Sequence, residues 1–269
     1  MMSQNPVIHP WERVDDLQRK GYRIIQNPEW FCFGVDAVLL ASFAVVKPGE
    51  EVLDMGTGTG IVPILMEARN DCGQYSALEI QPGPAEMAER SVRLNHLEKR
   101  VKVVQGDIKE ASSLFGRASF HVITSNPPYM DNHHGLKNPS EPKAIARHEV
   151  LCSFDDLARE AAACLKPGGR LYLVHRPRRL MDLLTTLRKY RLEPKRMRFV
   201  HPYADKEANM VLIEAFRGGG VQMHIEPPLV IYAKPGVYTD EVLRIYRTEP
   251  VSDEKVKETA IAGDAAAKN

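Results

Sequence analysis

Short apolar runs alternate with amphipathic segments along most of the chain, and this alternation predicts strands and helices in turn. Strands are predicted at 51–54, 74–80, 101–105, 120–125 and 170–175. Apolar residues at helical spacing predict helices at 61–69, 83–95, 154–165 and 180–190. The apolar run 36–46 predicts a further, buried helix. Its N-cap is expected to be Asp36, because a carboxylate at that position accepts free backbone amides.

The order of these elements predicts a doubly wound α/β sheet. Strands separated by single helices pair in parallel through crossover connections. Two further strands, 197–201 and 209–216, have no clear helix between them, so we expect them to pair antiparallel. The result is a mostly parallel, seven-stranded, Rossmann-like sheet with an antiparallel edge pair. This is the class I methyltransferase variant of the doubly wound fold.

Three regions are predicted along the chain. Residues 1–35 form a small N-terminal extension with a candidate strand at 22–25, and residues 36–246 form the main domain. Residues 247–269 lack apolar periodicity, so we expect a flexible tail. The irregular stretch 129–151 is too long for an ordinary connection, which indicates a functional loop.

Composition narrows the class of protein. Hydrophobic residues make up 43% and charged residues 26%, which is typical of globular proteins. No apolar stretch is long enough to span a bilayer and the N-terminus has no apolar signal core, so we expect a cytoplasmic protein without membrane contact. The four cysteines are scattered and form no CxxC pair, so no metal site is predicted. Nothing implies a stable protein partner.

The charge is unevenly distributed. Between Arg170 and Arg198 there are ten Lys and Arg residues, opposed only by Asp182 and Glu193, while the whole chain carries a formal net charge of +1. Such a stretch is either a solvated face or an attractive surface for a polyanion. Charge alone does not decide between them.

A glycine-rich loop follows the strand at 51–54. The sequence there is DMGTGTG, and it leads directly into the predicted helix 61–69. Glycines let the backbone approach a ligand closely, and the helix N-terminus offers free amides. A dinucleotide fingerprint requires a third glycine where this chain has Ile61. The motif fits S-adenosylmethionine better, with binding residues Asp54, Gly56, Thr57, Gly58 and Gly60.

Two acids support the same cofactor. Glu79 ends the second predicted strand, where a carboxylate can accept both ribose hydroxyls of a nucleoside. Asp107 ends the third, where it can accept a hydrogen bond from the adenine amino group. Both lie at carboxyl ends of parallel strands, the edge where open α/β sheets bind ligands. The predicted cofactor site also includes the next residues, Ile80 and Ile108.

The chemistry is predicted at Asn126-Pro127-Pro128-Tyr129, which follows the fourth strand. Two prolines stiffen the backbone there. The Asn126 side-chain oxygen and the Pro127 carbonyl are placed to accept from an incoming NH₂ group, orienting its lone pair towards the methyl group. Tyr129 offers a ring for stacking a planar substrate. The predicted reaction is direct in-line transfer to an exocyclic amine. His133, His134 and His148 receive no role.

This motif does not choose the amine. Adenine N6, guanine N2 of ribosomal RNA and the glutamine amide of a release factor all present an NH₂ group. Glutamine methyltransferases usually carry a helical N-terminal domain, for which little room precedes the glycine loop. DNA adenine methyltransferases usually carry an added target-recognition domain, and none is evident. A non-catalytic tRNA-binding chaperone would not require Asp54, Glu79, Asp107 and Asn126 together.

Several segments resemble one family, the bacterial tRNA (adenine-N6)-methyltransferases that act on adenine 37 of a valine tRNA. The matching segments lie between residues 12 and 246. They are ERVDDLQRKGYRIIQ (12–26), FCFGVDAVLLASFA (31–44), DMGTGTGIVPIL (54–65), SNPPYM (125–130), ARHE (146–149), KEANMVLIEA (206–215) and PPLVIYAKPGVYTDEVLRIY (227–246).

The resemblance implies a tRNA substrate and further site residues. It places Asp36 near the cofactor pocket, where Asn126 also belongs, and Arg147 and Glu149 near the substrate entrance. The target adenine would leave its stack to reach Asn126, at a cost of a few kcal/mol at most. The basic stretch, with Arg176, Arg178 and Arg179, would then contact RNA phosphates.

Overall fold

The computed structural model describes residues 6–30, 32–70, 73–127 and 152–246. Its strands are β1 (Arg13–Asp16), β2 (Arg23–Gln26), β3 (Glu51–Met55), β4 (Gln74–Glu79), β5 (Val101–Gln105), β6 (Phe120–Ser125), β7 (Leu165–His175), β8 (Leu192–His201), β9 (Met210–Arg217), β10 (His224–Ile225), β11 (Leu229–Val230), β12 (Tyr232–Lys234) and β13 (Val237–Tyr238). Its helices are α1 (Val35–Phe43), α2 (Ile61–Arg69), α3 (Pro82–Leu94), α4 (Ala111–Phe115), α5 (Phe154–Cys164), α6 (Leu180–Lys189) and α7 (Asp240–Tyr246). None of the described helices is long and apolar enough to cross a membrane.

The central sheet confirms the predicted topology. Its order is β5–β4–β3–β6–β7–β9–β8, and the short strands β10 and β11 both pair with the outer side of β8. The pairs from β5 to β7 are parallel, whereas β9 is antiparallel to both β7 and β8. Because β8 therefore runs in the same direction as β7, its carboxyl end lies at the same edge of the sheet. We call this the carboxyl edge.

Two hydrophobic layers cover the faces of the sheet. One layer packs α1 and α2 against alternate residues such as Val122, Tyr172 and Leu212. The other packs α5 and α6 against the intervening residues, including Ile123 and Leu173. Successive side chains of a strand point to opposite faces of the sheet, so neighbouring residues enter different layers.

The N-terminal extension forms a hairpin that lies on α3. Strands β1 and β2 pair antiparallel, and Ile25 packs against Met87 in a small cluster. Arg90 of α3 is almost fully buried and pairs with Glu12 at 2.5 Å. The Arg90 guanidinium lowers the pKa of Glu12. A buried pair of this kind fixes the hairpin, because removing Arg90 would leave the buried Glu12 carboxylate without its ion-pair partner.

The C-terminal cap, residues 226–246, closes the other flank. Strand β11 pairs with β8, Arg198 pairs with Glu241 of α7 at 2.7 Å, and Val242 is fully buried. At the end of α7, the carbonyl of Ile245 accepts hydrogen bonds from Arg19 and Arg69. Proline and glycine between 227 and 236 concealed β11, β12, β13 and α7 from the sequence prediction, since each element is short.

Several predicted boundaries were wrong for identifiable reasons. Gly34, not Asp36, is the N-cap of α1, and Asp36 lies in the first turn, where its carboxylate accepts the amide of Ala37. That helix ends at Phe43 rather than before Lys47. The Pro167-Gly168-Gly169 segment does not separate α5 from the next strand, because β7 already begins at Leu165 and includes these three residues. The segment lies where the register between β7 and β6 shifts.

Candidate active site

The strand ends at the carboxyl edge are aligned by register. Asp54 pairs with Thr124 on β6, and Met55 pairs with Leu78 on β4. One residue beyond the Met55–Leu78 pair, Gly56 is level with Glu79. Two residues beyond the Asp54–Thr124 pair, Gly56 is level with Asn126. The structure therefore brings together the glycine loop, the β4 acid and the start of the predicted NPPY motif.

The glycine loop has a conformation that requires glycine. Gly56, Gly58 and Gly60 have φ angles of 77°, 58° and 85°, all in the left-handed region that side chains disfavour. The amides of Gly56 and Thr57 both donate to the carbonyl of Leu78. Helix α2 starts directly after Gly60, so its first amides face the loop. This backbone can approach a ligand without a side chain intervening.

Asp54 is a buried acid with one oxygen in use. Its Oδ1 accepts a hydrogen bond from the hydroxyl of Thr124 at 2.6 Å. Within the described part of the chain, Asp54 Oδ2 and the Thr57 hydroxyl are buried and neither makes a hydrogen bond of good geometry, although Thr57 lies close enough to Asp54 to lower its pKa. Burial raises the pKa of Asp54 to about 6, although the Thr124 hydroxyl opposes the shift. Two buried polar atoms without a well-formed hydrogen bond, beside a glycine loop, indicate a site that can accept a polar ligand.

Glu79 connects β4 to the glycine loop. Its Oε2 accepts the amide of Gly58 and its Oε1 accepts the amide of Gln81, both at 2.9 Å. The side chain is buried, so these two bonds hold the carboxylate in one orientation. Each oxygen keeps a second lone pair, which is what two neighbouring ribose hydroxyls require. Glu79 thus keeps the acceptors that its predicted role requires, and binding of the ribose stays a prediction.

Asp107 stands two residues beyond β5 and begins a short 3₁₀ helix. Its Oδ1 accepts the amide of Lys109, and its Oδ2 lies 3.5 Å from the Lys109 ammonium. Ile108 packs close to Gly56, since a Cβ built on that glycine would lie 3.8 Å from its Cδ1 atom. Ile80 is half-buried directly after Glu79. Ile108 therefore forms an apolar boundary of the loop, as a cofactor site requires.

Asn126 and Pro127 are half-buried at the end of β6. The strand is fastened to β3 just before them, because the Ser125 hydroxyl donates to the carbonyl of Met55 at 2.7 Å. Together with the Thr124–Asp54 bond, this joins the end of β6 rigidly to the glycine loop. Tyr129, Arg147, Glu149 and the three histidines at 133, 134 and 148 lie outside the described residues.

His175 is a site neighbour that the sequence prediction missed. The β6–β7 register, Ser125 with Leu173, puts Pro127 level with His175. Burial lowers the pKa of His175 to about 4, and the nearby charge of Arg179 adds to the effect. His175 is therefore neutral at physiological pH and supplies no proton. Its Nδ1 accepts the amide of Arg176 at 2.8 Å. In the sequence, the only signal for His175 was its position at the end of a predicted strand.

The basic stretch 170–198 is not one surface, so that hypothesis was wrong in its simplest form. Helix α6 returns the chain to the opposite edge, which separates the arginines at 176–179 from those at 188–191. Carboxylates also pair with many of these cations. The pairs are Arg170–Glu50, Arg179–Asp182, Arg188–Glu193, Lys189–Asp155, Arg196–Glu214 and Arg198–Glu241. Only the segment with Arg176, Arg178 and Arg179 lies at the carboxyl edge.

Asp36 is buried in the first turn of α1, the helix that packs against α2. Its charge contributes to the raised pKa of the Tyr246 phenol, whose main cause is burial. This places Asp36 beside the C-terminal cap. Its contact with a cofactor stays a prediction.

Comparison with known proteins agrees with this geometry. Residues 22–196 match the model of the methyltransferase small domain family. The tRNA1(Val) (adenine(37)-N6)-methyltransferase of Porphyromonas gingivalis is 32% identical over 226 residues, covering 81% of this chain and 87% of the relative. The enzyme of that name from Aeromonas salmonicida is 29% identical and covers 79% and 87%.

Solved structures share the fold. A predicted O-methyltransferase from Agrobacterium tumefaciens aligns with a TM-score of 0.65 at 23% identity, covering 78% of this chain and 95% of that one. Geranyl diphosphate C-methyltransferase from Streptomyces coelicolor, solved with S-adenosyl-L-homocysteine, aligns with a TM-score of 0.51 at 16% identity, covering 68% and 75%.

Fold, strand-end site and family model together define an S-adenosylmethionine-dependent methyltransferase. The chain belongs to the methyltransferase small domain family and, within it, to the family of the tRNA1(Val) (adenine(37)-N6)-methyltransferases. The residues present fit the cofactor, because the glycine loop is open to close approach and the buried polar atoms of Asp54 and Thr57 make no well-formed hydrogen bond within the described part of the chain. We expect Glu79 and Ile108 to contact its nucleoside part.

Proposed function

We propose that this protein methylates N6 of an adenine in tRNA, namely adenine 37 of a valine tRNA. The observation that carries the proposal is Asn126, which follows β6 at the level of the glycine loop and is fixed there by the Thr124 and Ser125 hydrogen bonds. The names of the P. gingivalis and A. salmonicida relatives support the choice of nucleoside.

In the proposed mechanism, the chain's own residues orient the acceptor amine. The Asn126 side-chain oxygen and the Pro127 carbonyl accept hydrogen bonds from the two N–H groups of the amine. These bonds direct the nitrogen lone pair towards the cofactor and stabilise the positive charge that develops on nitrogen. S-adenosylmethionine supplies an electrophilic methyl group, so no enzyme base is needed before transfer. The lowered pKa of His175 makes this residue a weak base, which agrees with this mechanism. Tyr129 is proposed to stack the base of the substrate.

The proposal extends to the whole chain. Residues 36–246 would form the catalytic domain and residues 1–35 an extension whose hairpin lies on α3. Residues 247–269 lie outside the described part, and their flexibility stays a prediction. A tRNA substrate implies that the protein works in the cytoplasm. Arg176, Arg178 and Arg179 are proposed to contact tRNA phosphates, and Arg147 and Glu149 to border the entrance.

The test is a substrate survey. The protein is incubated with labelled S-adenosylmethionine and separate pools of tRNA, ribosomal RNA, DNA and release factor, and labelled nucleosides are then identified. We expect N6-methyladenosine in tRNA only. Label in release factor would instead indicate glutamine methylation, and N2-methylguanosine in ribosomal RNA would indicate the guanine reaction. Either result would overturn the proposal.

A further inference from the structure

The loop 202–209, which joins β8 to β9, lies at the carboxyl edge beside the arginine segment. Arg176 Nη1 donates to the backbone carbonyl of Asn209 at 2.9 Å. Within the loop, the amide of Lys206 donates to the carbonyl of Tyr203, and the amide of Asn209 donates to the carbonyl of Val200. The loop therefore has a defined shape. Neither the cofactor site nor the proposed transfer step uses it.

Asn209 presents an unsatisfied acceptor in this loop. Its side-chain oxygen is buried and has no hydrogen-bond partner among the described residues. A buried acceptor without a partner destabilises the folded protein, so its presence points to a donor that a ligand supplies. The residue belongs to the KEANMVLIEA segment, for which the transfer chemistry gives no reason. A donor on a bound ligand would satisfy the oxygen.

Tyr203 ends a column of four tyrosine rings, in which Tyr232, Tyr238 and Tyr246 are stacked and Tyr203 is tilted by 35° against Tyr232. Ring centroids are 5.6 Å apart between Tyr203 and Tyr232, 5.2 Å between Tyr232 and Tyr238, and 5.4 Å between Tyr238 and Tyr246. The cap holds the column in place, because the amide of Tyr232 donates to the carbonyl of Pro202. Within the described part, Tyr203 has one ring neighbour, so its stack stops at the loop.

These two features suit one type of ligand. A nucleic-acid base has a flat face that stacks on tyrosine and carries amino or hydroxyl donors around it. Stacking is tolerant of sequence, whereas a buried acceptor adds selectivity for a donor in one position. Strands β6, β7, β9 and β8 lie side by side with a spacing of about 4.8 Å, so this loop lies two to three strand spacings, about 10–14 Å, from the end of β6. A neighbouring stretch of the same RNA can span that distance.

We propose that the 202–209 loop binds a second nucleotide of the RNA, close to the one that is methylated. Tyr203 stacks on its base, and Asn209 accepts a hydrogen bond from an amino or hydroxyl group of the same nucleotide. Arg176 holds the loop in position through the Asn209 carbonyl. This inference rests on the proposed function, because it assumes an RNA substrate.

The experiment compares four variants of the full chain. Tyr203→Leu removes the stacking ring, Tyr203→Phe keeps it, and Asn209→Ala removes the acceptor. Tyr190→Leu is the matched control, since Tyr190 is a half-buried tyrosine at the C-cap of α6, on the opposite edge. For each variant we would measure kcat and KM for the tRNA, the Kd for S-adenosylmethionine, the melting temperature and the elution volume on gel filtration.

We expect Tyr203→Leu and Asn209→Ala each to raise KM for the tRNA about tenfold, with an unchanged Kd for the cofactor. Tyr203→Phe and Tyr190→Leu should keep the wild-type KM. Asn209→Ala should not lower the melting temperature, because the oxygen that it removes has no partner. A purely structural asparagine would show the reverse, a lower melting temperature with unchanged KM, and that result would overturn the proposal.

Two other outcomes separate this inference from the function on which it rests. If the wild-type protein methylates tRNA and both variants keep its KM, the loop is not a nucleotide site although the enzyme assignment stands. If the wild-type protein methylates no RNA, the proposed function fails first. A change of elution volume in Tyr203→Leu with unchanged KM would show that the ring contacts a second copy of the chain instead.

Discussion

The two halves of the central sheet are built by different rules. In the cofactor half, β3, β4 and β5, the predicted binding residues lie at the strand ends or just beyond them: the glycine loop, Glu79, and Asp107 two residues after β5. In the acceptor half, β6, β7, β9 and β8, the strands change direction and long-range ion pairs such as Arg196–Glu214 hold them together. In this half, the local sequence predicts a role only at the motif that begins at Asn126 and follows β6.

This difference separates two kinds of constraint. The cofactor is one fixed molecule, so a short parallel unit with left-handed glycines can recognise it. A macromolecular substrate is recognised over a broader surface, and the residues that contact it are spaced along the chain. Many charges of the acceptor half hold the fold together, so charge density along the sequence overstates the charge available to RNA.

The sharpest way to separate the halves is Asn126→Ala. We expect kcat to fall about 100- to 1000-fold, because the amine loses an acceptor that acts on developing charge. The Kd for S-adenosylmethionine should stay unchanged in equilibrium dialysis, since the cofactor half is intact. Asn70→Ala, at the C-cap of α2 on the opposite edge, is the control and should keep full activity. Full activity in Asn126→Ala would refute the mechanism.

Asp54→Asn tests the cofactor half through stability. Because the pKa of Asp54 is raised from 3.8 to about 6, its ionised form is costly in the folded protein, and wild-type stability falls as pH rises through this range. At pH 7.5 the unliganded variant should be more stable by up to about 3 kcal/mol, at 1.36 kcal/mol per pKa unit. At pH 4 the difference should nearly vanish. Urea denaturation at both pH values measures it.

Glu79→Ala should weaken cofactor binding about 10- to 100-fold, because two backbone amides and the ligand lose a charged acceptor. Isothermal titration with S-adenosylmethionine measures the change, and Glu79→Gln should recover part of it. Glu89→Ala, an exposed acid on α3, serves as the control. If Glu79→Ala bound the cofactor normally but had a raised KM for tRNA, the assignment of the two halves would be reversed.

The smallest expected effect compares two arginines. Arg178→Ala, at the carboxyl edge, should raise KM for tRNA about threefold and reduce its dependence on salt. Arg188→Ala, near the opposite edge and paired with Glu193, should leave both unchanged. Methylation assays at 50 and 200 mM salt distinguish the two variants. If both variants raised KM for tRNA equally, the residues 170–198 would act as a single basic surface, against the division that the structure shows.

Sequence alone predicted most of the cofactor half. Strand periodicity located β5 and β6 to the residue, and the alignment of Gly56 with Glu79 followed from strand order. The sequence could not predict that the Glu79 carboxylate also accepts a hydrogen bond from the amide of Gly58, because that contact depends on side-chain packing. It missed β1 and the C-terminal strands because two- to four-residue elements carry little periodicity. His175 and Asn209 escaped because burial in three dimensions, not spacing, distinguishes them.

The hydrogen bond from Arg19 to the Ile245 carbonyl joins residues 226 positions apart. During synthesis, the N-terminal hairpin therefore leaves the ribosome long before the helix that it will contact. Closing so long a loop adds only a modest entropic cost, because that cost grows with the logarithm of loop length. It does impose an order in time: the cofactor half can assemble during translation, whereas the flank beside α1 closes only after nearly the whole chain has been made.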